Sequence, residues 1–313
     1  MRNVSESAPV PLFPPDWPAR FRGLSLRAER CGAGPLLGLR PRKLPAGGTE
    51  QTGVRDYCPG DDLRHVDWKL CARRDEVLTR TFEGAADLHV AVLFDVSRSM
   101  GTGGGSNGSS GAPYGPKSRL ARHVAAACGC WALDRLAIVS LTAFAGRLGP
   151  SVRAMRGRGN TTRLLRFLAE TPLDDSPTDL LTAATAFVRL PQRRGPVVVI
   201  SDLLDPGGFE QPLDALRFHG FDPIVVQVYG PADADPPRPG DVELIDCESG
   251  HRRPATITER AAARYRQLFG RFLEQVAAAC RRRTIPWFQF RADMPEEQAV
   301  RALLGLPAAY HNE

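Results

Sequence analysis

Two apolar runs in this chain end in an aspartate: His89–Asp95 (HVAVLFD) and Pro196–Asp202 (PVVVISD). A continuous apolar run of this length suits a strand covered on both faces, as in a parallel sheet. Leu136–Phe144, Asp222–Tyr229 and Thr284–Arg291 read as further strands. Helical spacing separates them. Leu120, Val124, Ala127 and Trp131 fall on one helix face behind Pro116, a first-turn residue. Asn160 reads as the cap of a helix carrying Leu164, Leu165 and Leu168, and Thr178 as a possible cap of Asp179–Leu190. Phe209–His219, Ala261–Cys280 and Pro295–Leu304 read as helices, and Val242–Cys247 with His251–Ile257 as a hairpin. Strands alternating with helices from about residue 88 onward predict an α/β fold: a Rossmann-like, open, mostly parallel sheet with helices on both faces. Such sheets bind ligands outside the carboxyl ends of their strands, which puts Asp95 and Asp202 on the ligand-binding rim.

The rest of the chain divides around that body. Residues 1–19 are rich in Pro and Ser and read as disordered, residues 20–87 as a separate segment without a clean period, 88–305 as the α/β domain and 306–313 as a tail. Residues 101–116 are of low complexity and read as a flexible loop.

Of the 41 basic residues, lysines stand only at Lys43, Lys69 and Lys117; the rest are arginines spread along the chain. Aromatic residues make up 7% and are not interleaved with basic clusters, which argues against nucleic-acid binding. The seven cysteines show no CxxC spacing and read mostly as reduced core thiols, which implies a reducing compartment. No apolar run approaches the roughly 20 residues of a spanning helix. The reading is a cytoplasmic protein with no membrane insertion.

Asp95-Val96-Ser97-Arg98-Ser99 places a carboxylate and two hydroxyls at alternate positions after the first strand. A hard cation such as Mg²⁺ takes oxygen ligands of this kind. Asp202 ends another strand on the same rim, and Thr178 precedes the helix leading into it, so topology offers its hydroxyl as well. Thr161 and Thr162 compete, but they open the preceding helix. Each hydroxyl alone reads as a turn or cap residue; the set together reads as a metal site.

These residues resemble the DxSxS…T…D metal-ion-dependent adhesion site of von Willebrand factor type A domains. A block upstream sharpens the likeness. Arg55-Asp56-Tyr57-Cys58-Pro59-Gly60-Asp61-Asp62-Leu63-Arg64, followed by Asp67-Trp68-Lys69 and Ala72-Arg73, is similar to the signature of the bacterial domain-of-unknown-function 58 family, where it stands just before the DxSxSM strand. The resemblance covers about residues 50–305. It implies a von Willebrand factor A-like domain preceded by a family-specific segment. It also implies a site of Asp95, Ser97, Ser99, Thr178 and Asp202 for Mg²⁺ (or Mn²⁺ or Ca²⁺), and a MoxR-type AAA+ ATPase as partner. The expected role is a non-enzymatic interaction module or adaptor; a metal-dependent hydrolase at the same site, or a scaffold with an empty one, are the alternatives. The sequence departs from the pattern in its long Gly/Ser-rich insert and in Ser176-Pro177 where Gly-Gly usually precedes the threonine.

Within the upstream block, closely mixed Arg and Asp read as ion pairs and turn caps rather than catalysts, and Trp68 as a packing anchor. The six histidines are scattered and read as surface or packing residues. The glycines of Gly103–Gly108 match nucleotide-binding and nucleophile-elbow patterns only inside low-complexity sequence, without the strand–turn–helix context either needs.

Overall fold

A computed structural model describes residues 11–31, 50–57, 66–74, 76–83, 88–101, 114–236, 238–247 and 250–306. The signature positions Pro59, Gly60, Asp61, Asp62 and Arg64 lie outside them, as does most of the Gly/Ser-rich insert. The chain forms two compact units, one of Met1–Leu39 with His89–Glu313, the other of Arg40–Leu88.

The smaller unit pairs β1 (Glu50–Asp56) antiparallel with β2 (Leu78–Glu83), with α2 (Trp68–Arg74) between them in sequence. Asp67 Oδ1 accepts from Leu70 N at 3.2 Å and so caps the first turn of α2. Cys71 Sγ accepts from Leu78 N at 3.2 Å and holds the middle of the helix to the start of β2. Signature residues Arg55 and Asp56 lie in β1, Tyr57 just after it, and Trp68, Lys69, Ala72 and Arg73 in α2. The expectation for Trp68 is corrected: the residue is 65% exposed and is not part of the buried core among the described residues.

The larger unit contains a six-stranded sheet in the order β10-β7-β6-β3-β4-β5. Its strands are β3 (His89–Asp95), β4 (Ile138–Phe144), β5 (Leu148–Arg156), β6 (Pro196–Ser201), β7 (Asp222–Tyr229) and β10 (Trp287–Arg291). Five are parallel, as the apolar runs predict; β5 runs antiparallel to β4 at the edge. Sequence reasoning missed β5. Its exposed face carries Gly, Ser and Arg (LGPSVRAMR), so only Met155 is buried and no apolar run marks it.

Helices cover both faces. α4 (Pro116–Asp134) connects β3 to β4, and α5 (Thr161–Glu170) follows β5 on the same side, where Phe94 meets Phe167 edge-on at 6.1 Å. On the other face, Ala91 and Leu93 of β3 pack with Ala183 and Phe187 of α6 (Leu180–Val188), Leu213 of α7 (Glu210–Phe218), and Val276 and Cys280 of α9 (Glu259–Arg282). The strict alternation of Ala91/Leu93 against Phe94 follows from the two-residue period of a strand. A short helix α8 (Pro231–Ala234) follows β7, the expected hairpin forms from β8 (Gly240–Ile245) and β9 (Arg252–Ile257), and α10 (Glu296–Leu303) closes the domain.

The expectation of disorder through residue 19 is corrected for residues 11–19, residues 1–10 lying outside the described residues. α1 (Trp17–Cys31) begins inside that stretch. Trp17, Phe21 and Leu24 follow helical spacing and are buried, Trp17 stacks on Phe21 at 5.4 Å, and Phe13 lies 5.0 Å from the ring of His123 in α4. Pro18 is tolerated because it stands in the first turn, where its missing N–H has no partner to lose.

Candidate metal site at the strand ends

The chain leaves β3 to β4 on one side, while β6 lies on the other. Strand order reverses at β3, and the crevice between β3 and β6 is the topological switch point where open α/β sheets bind ligands. The two strands are parallel, with Phe94 opposite Ile200, so Asp95 and Asp202 stand at the same end of neighbouring strands. Both carboxylates are buried, and they repel one another through the low-dielectric interior.

The DxSxS turn folds back on its own aspartate. Asp95 Oδ1 accepts from Ser97 N at 2.8 Å, and Ser97 Oγ lies 3.1 Å from Ser99 Oγ. Arg98 opens the single turn α3 (Arg98–Gly101) and points to the surface, while Ser97 and Ser99 stay buried. Asp95 Oδ2 accepts from Ser201 Oγ at 2.6 Å, across the β3–β6 pair. Burial, and next the charge of Asp202, push the Asp95 pKa from 3.8 to about 7, against the hydrogen bonds from Ser201 and Ser97 that favour its ionised form.

Thr178 stands in the loop before α6, and it is not the cap. Asp179 caps that helix, accepting from Thr182 N at 2.8 Å. The Thr178 hydroxyl is therefore left over: it is buried and Oγ1 has no hydrogen-bond partner. Its loop is tied to the rim on three sides. Asp174 N donates to Val96 O at 2.7 Å, Asp179 N to Ala145 O at 3.1 Å, and Leu180 N to Asp205 Oδ2 at 2.7 Å. The competing hydroxyls are placed elsewhere. β5 returns the chain to Arg156, opposite Ile138 at the far end of β4, and Thr161 and Thr162 follow from there. Asn160, expected to cap α5, instead donates from Nδ2 to Arg156 O at 2.8 Å.

Asp202 is held from several directions. Its Oδ1 accepts from Leu204 N at 3.1 Å and its backbone carbonyl from Gln227 Nε2 at 3.2 Å. The next residue, Leu203, has φ 59. That left-handed backbone is costly for a branched side chain, and the bond from Leu203 N to Ser201 Oγ at 3.0 Å helps hold it. Asp202 Oδ2 lies 3.0 Å from Lys117 Nζ, which is also 3.0 Å from Asp233 Oδ2 in α8. Burial works against the charge on Lys117, yet the two aspartates outweigh it and raise its pKa.

Sequence reasoning therefore named the rim residues and missed four that hold them: Ser201, Lys117, Asp205 and Asp233. A signal existed for Lys117, one of only three lysines in an arginine-rich chain. Among the described residues, no three His, Cys, Asp or Glu side chains cluster in a way that could hold a metal. The candidate donors are instead two carboxylates and three hydroxyls, which suits a hard cation. The orphaned Thr178 hydroxyl fits that group, because a buried oxygen without a partner has lone pairs to give.

Comparison with known sequences places the chain in a family. Residues 53–275 match the family described as "protein of unknown function DUF58". An uncharacterized protein of Mycobacterium tuberculosis is 30% identical over 271 residues, covering 80% of each chain. Among solved structures, a conserved hypothetical protein BatB from Bacteroides thetaiotaomicron is 18% identical with a TM-score of 0.39, covering 69% of this chain and 95% of that one. An aerotolerance-related membrane protein from Bacteroides fragilis is 16% identical with a TM-score of 0.42, covering 69% and 96%. The expected cytoplasmic location is corrected at this point: it rested on the lack of an apolar span, and the Bacteroides fragilis protein that this chain matches is described as a membrane protein. Among the described residues no helix is long and apolar enough to cross a membrane, which by itself assigns no compartment.

Proposed function

Because the chain belongs to the domain-of-unknown-function 58 family, we propose that it is a protein-interaction module that docks an acidic side chain of its partner through a divalent cation at the β3–β6 strand ends. Asp95, Ser97, Ser99, Thr178 and Asp202 would hold the ion, Mg²⁺ or Mn²⁺ by the hardness of the donors. A bound divalent cation supplies an electrophilic position for a carboxylate. The side chains set how strong that pull is: three neutral hydroxyls withdraw little of the ion's charge, so it stays electrophilic. Exposed Arg98, between the two serines, adds a positive charge at the rim that steers an acidic surface.

The observation that carries this reading is the buried Thr178 hydroxyl with no partner, in a loop tied to both strand ends. A hydroxyl stripped of water without compensation costs on the order of 1–3 kcal/mol, and an ion ligated there would recover it. Binding rather than turnover is the proposed role, and a MoxR-type AAA+ ATPase is the partner that the family resemblance implies.

Two measurements test it. Mn²⁺ should raise the melting temperature of the wild-type chain by mass action on the native state. The variant Asp95→Ala, Ser97→Ala, Ser99→Ala should lose that response; an equal rise in the variant would place the ion elsewhere. Partner capture from the native source should disappear with EDTA and with Asp95→Ala, and capture surviving both would end the metal-bridged reading.

A further inference from the structure

Lys117 is a fully buried charged residue of the larger unit. Its side chain is 1% exposed, yet it sits in the first turn of α4, where the helix dipole is positive and no acidic residue of the helix offsets it. A lysine in that position is unfavourable unless something outside the helix demands a cation. What surrounds the ammonium are two carboxylates from two other elements: Asp202 Oδ2 after β6 and Asp233 Oδ2 in α8, each at 3.0 Å. Asp233 is itself fixed, because its Oδ2 also accepts from Gly230 N at 2.7 Å and its backbone carbonyl from Tyr265 Oη at 2.9 Å.

We propose that Lys117 is a resident cation that competes with the divalent ion for Asp202, and that Asp233 sets the balance by drawing the ammonium toward α8. This deepens the function proposed above and rests on it. Asp202 has two carboxylate oxygens: Leu204 N occupies Oδ1 and the ammonium occupies Oδ2. An incoming ion therefore meets a carboxylate whose charge is already shared, with a positive charge beside it. At a separation of a few ångströms and an effective dielectric near 20, such a unit charge changes a binding constant by on the order of tenfold or more. Ion occupancy would then depend on α8 and on anything that moves it, since withdrawing Asp233 leaves the lysine with Asp202 alone.

Calorimetric titration of the full chain with MnCl₂ separates the possibilities, because two variants are expected to move in opposite directions. Lys117→Met removes the competitor and should bind Mn²⁺ about tenfold tighter. Asp233→Asn removes the second anchor, leaves the ammonium on Asp202, and should bind Mn²⁺ several-fold more weakly. A structural role alone would weaken binding in both. An unchanged or weaker affinity in Lys117→Met overturns the proposal. If that variant does not fold, Asp233→Asn decides, and an unchanged affinity there overturns it. A wild-type chain that takes up no Mn²⁺ while Lys117→Met does would overturn the wild-type metal site but support the lysine as the cation in its place. Silence in both would overturn both.

Discussion

Ser201 Oγ donates to Asp95 Oδ2 at 2.6 Å, so the last residue of one strand fixes the carboxylate that ends its neighbour. The same oxygen accepts from Leu203 N at 3.0 Å, which links the strained residue after Asp202 to the aspartate across the crevice. One hydroxyl thus couples both halves of the candidate site.

Replacing Ser201 by Ala removes both bonds and leaves the buried Leu203 N–H without its acceptor. An unmade buried hydrogen bond costs about 1–3 kcal/mol. Ser201→Ala is therefore expected to lose about 2–4 kcal/mol in urea unfolding, more than a surface serine would. A loss within about 0.5 kcal/mol, the range of ordinary surface substitutions, would mean that the loop holds its shape without Ser201.

Asp95 itself should destabilise the metal-free protein at neutral pH. Its folded pKa lies above the unfolded value, at about 7 against 3.8. Its contribution to stability is fully present below pH 3.8 and is lost as pH rises through about 7. At about 1.4 kcal/mol per pH unit the full effect is on the order of 4 kcal/mol. Asp95→Asn in EDTA is expected to exceed the wild type by about 1–4 kcal/mol at pH 8, with the gap closing toward pH 4. The comparison is made by urea unfolding at both pH values, and a gap that does not change with pH would rule out an ionised Asp95 as the source.

Thr178 and Asp179 are adjacent and should behave differently. Asp179 is the helix cap, so Asp179→Ala should cost about 0.5–2 kcal/mol and leave Mn²⁺ binding largely intact. Thr178→Val keeps the shape but removes the unpartnered hydroxyl. In EDTA it should be neutral or stabilising by about 1 kcal/mol, while Mn²⁺ affinity falls. A Thr178→Val variant that unfolds more easily in EDTA would show that the hydroxyl has a partner in solution.

The N-terminal helix is expected to contribute directly to the larger unit. Trp17 is 8% exposed and meets the rings of Phe13, Phe21 and His123. Truncating a buried Trp costs about 3–5 kcal/mol. Trp17→Ala should lower unfolding stability in that range and increase amide exchange over Phe21 and Leu24. Unchanged exchange there would mean that α1 holds its place without the tryptophan.

The sequence by itself determined the sheet and most of its helices. Apolar runs such as HVAVLFD and PVVVISD suit strands buried on both faces of a parallel layer, and a period of about 3.6 appears where the helices begin. It also named the aspartates and hydroxyls of the rim, because a strand end is a position that sequence marks. The antiparallel edge strand β5 escaped it, since an exposed edge needs no apolar face. Helix α1 escaped it because three prolines and several arginines obscure the short apolar face of Trp17, Phe21 and Leu24.

What tertiary structure alone decided is which partner each rim group has. Sequence marks a hydroxyl before a helix as a cap; only the fold shows Asp179 taking that role and leaving Thr178 over. Local pattern places Lys117 at a helix start, and only the packing of α4 against the ends of β6 and β7 brings its ammonium onto Asp202 and Asp233. Ser201 reads as one more residue of a buried strand until the pairing of β3 with β6 sets it beside Asp95. The physical reason is the same in each case. Burial and periodicity act between residues close in sequence, whereas a buried charge or hydroxyl is satisfied by whatever the fold brings within about 3 Å, from up to 116 positions away in the case of Lys117 and Asp233.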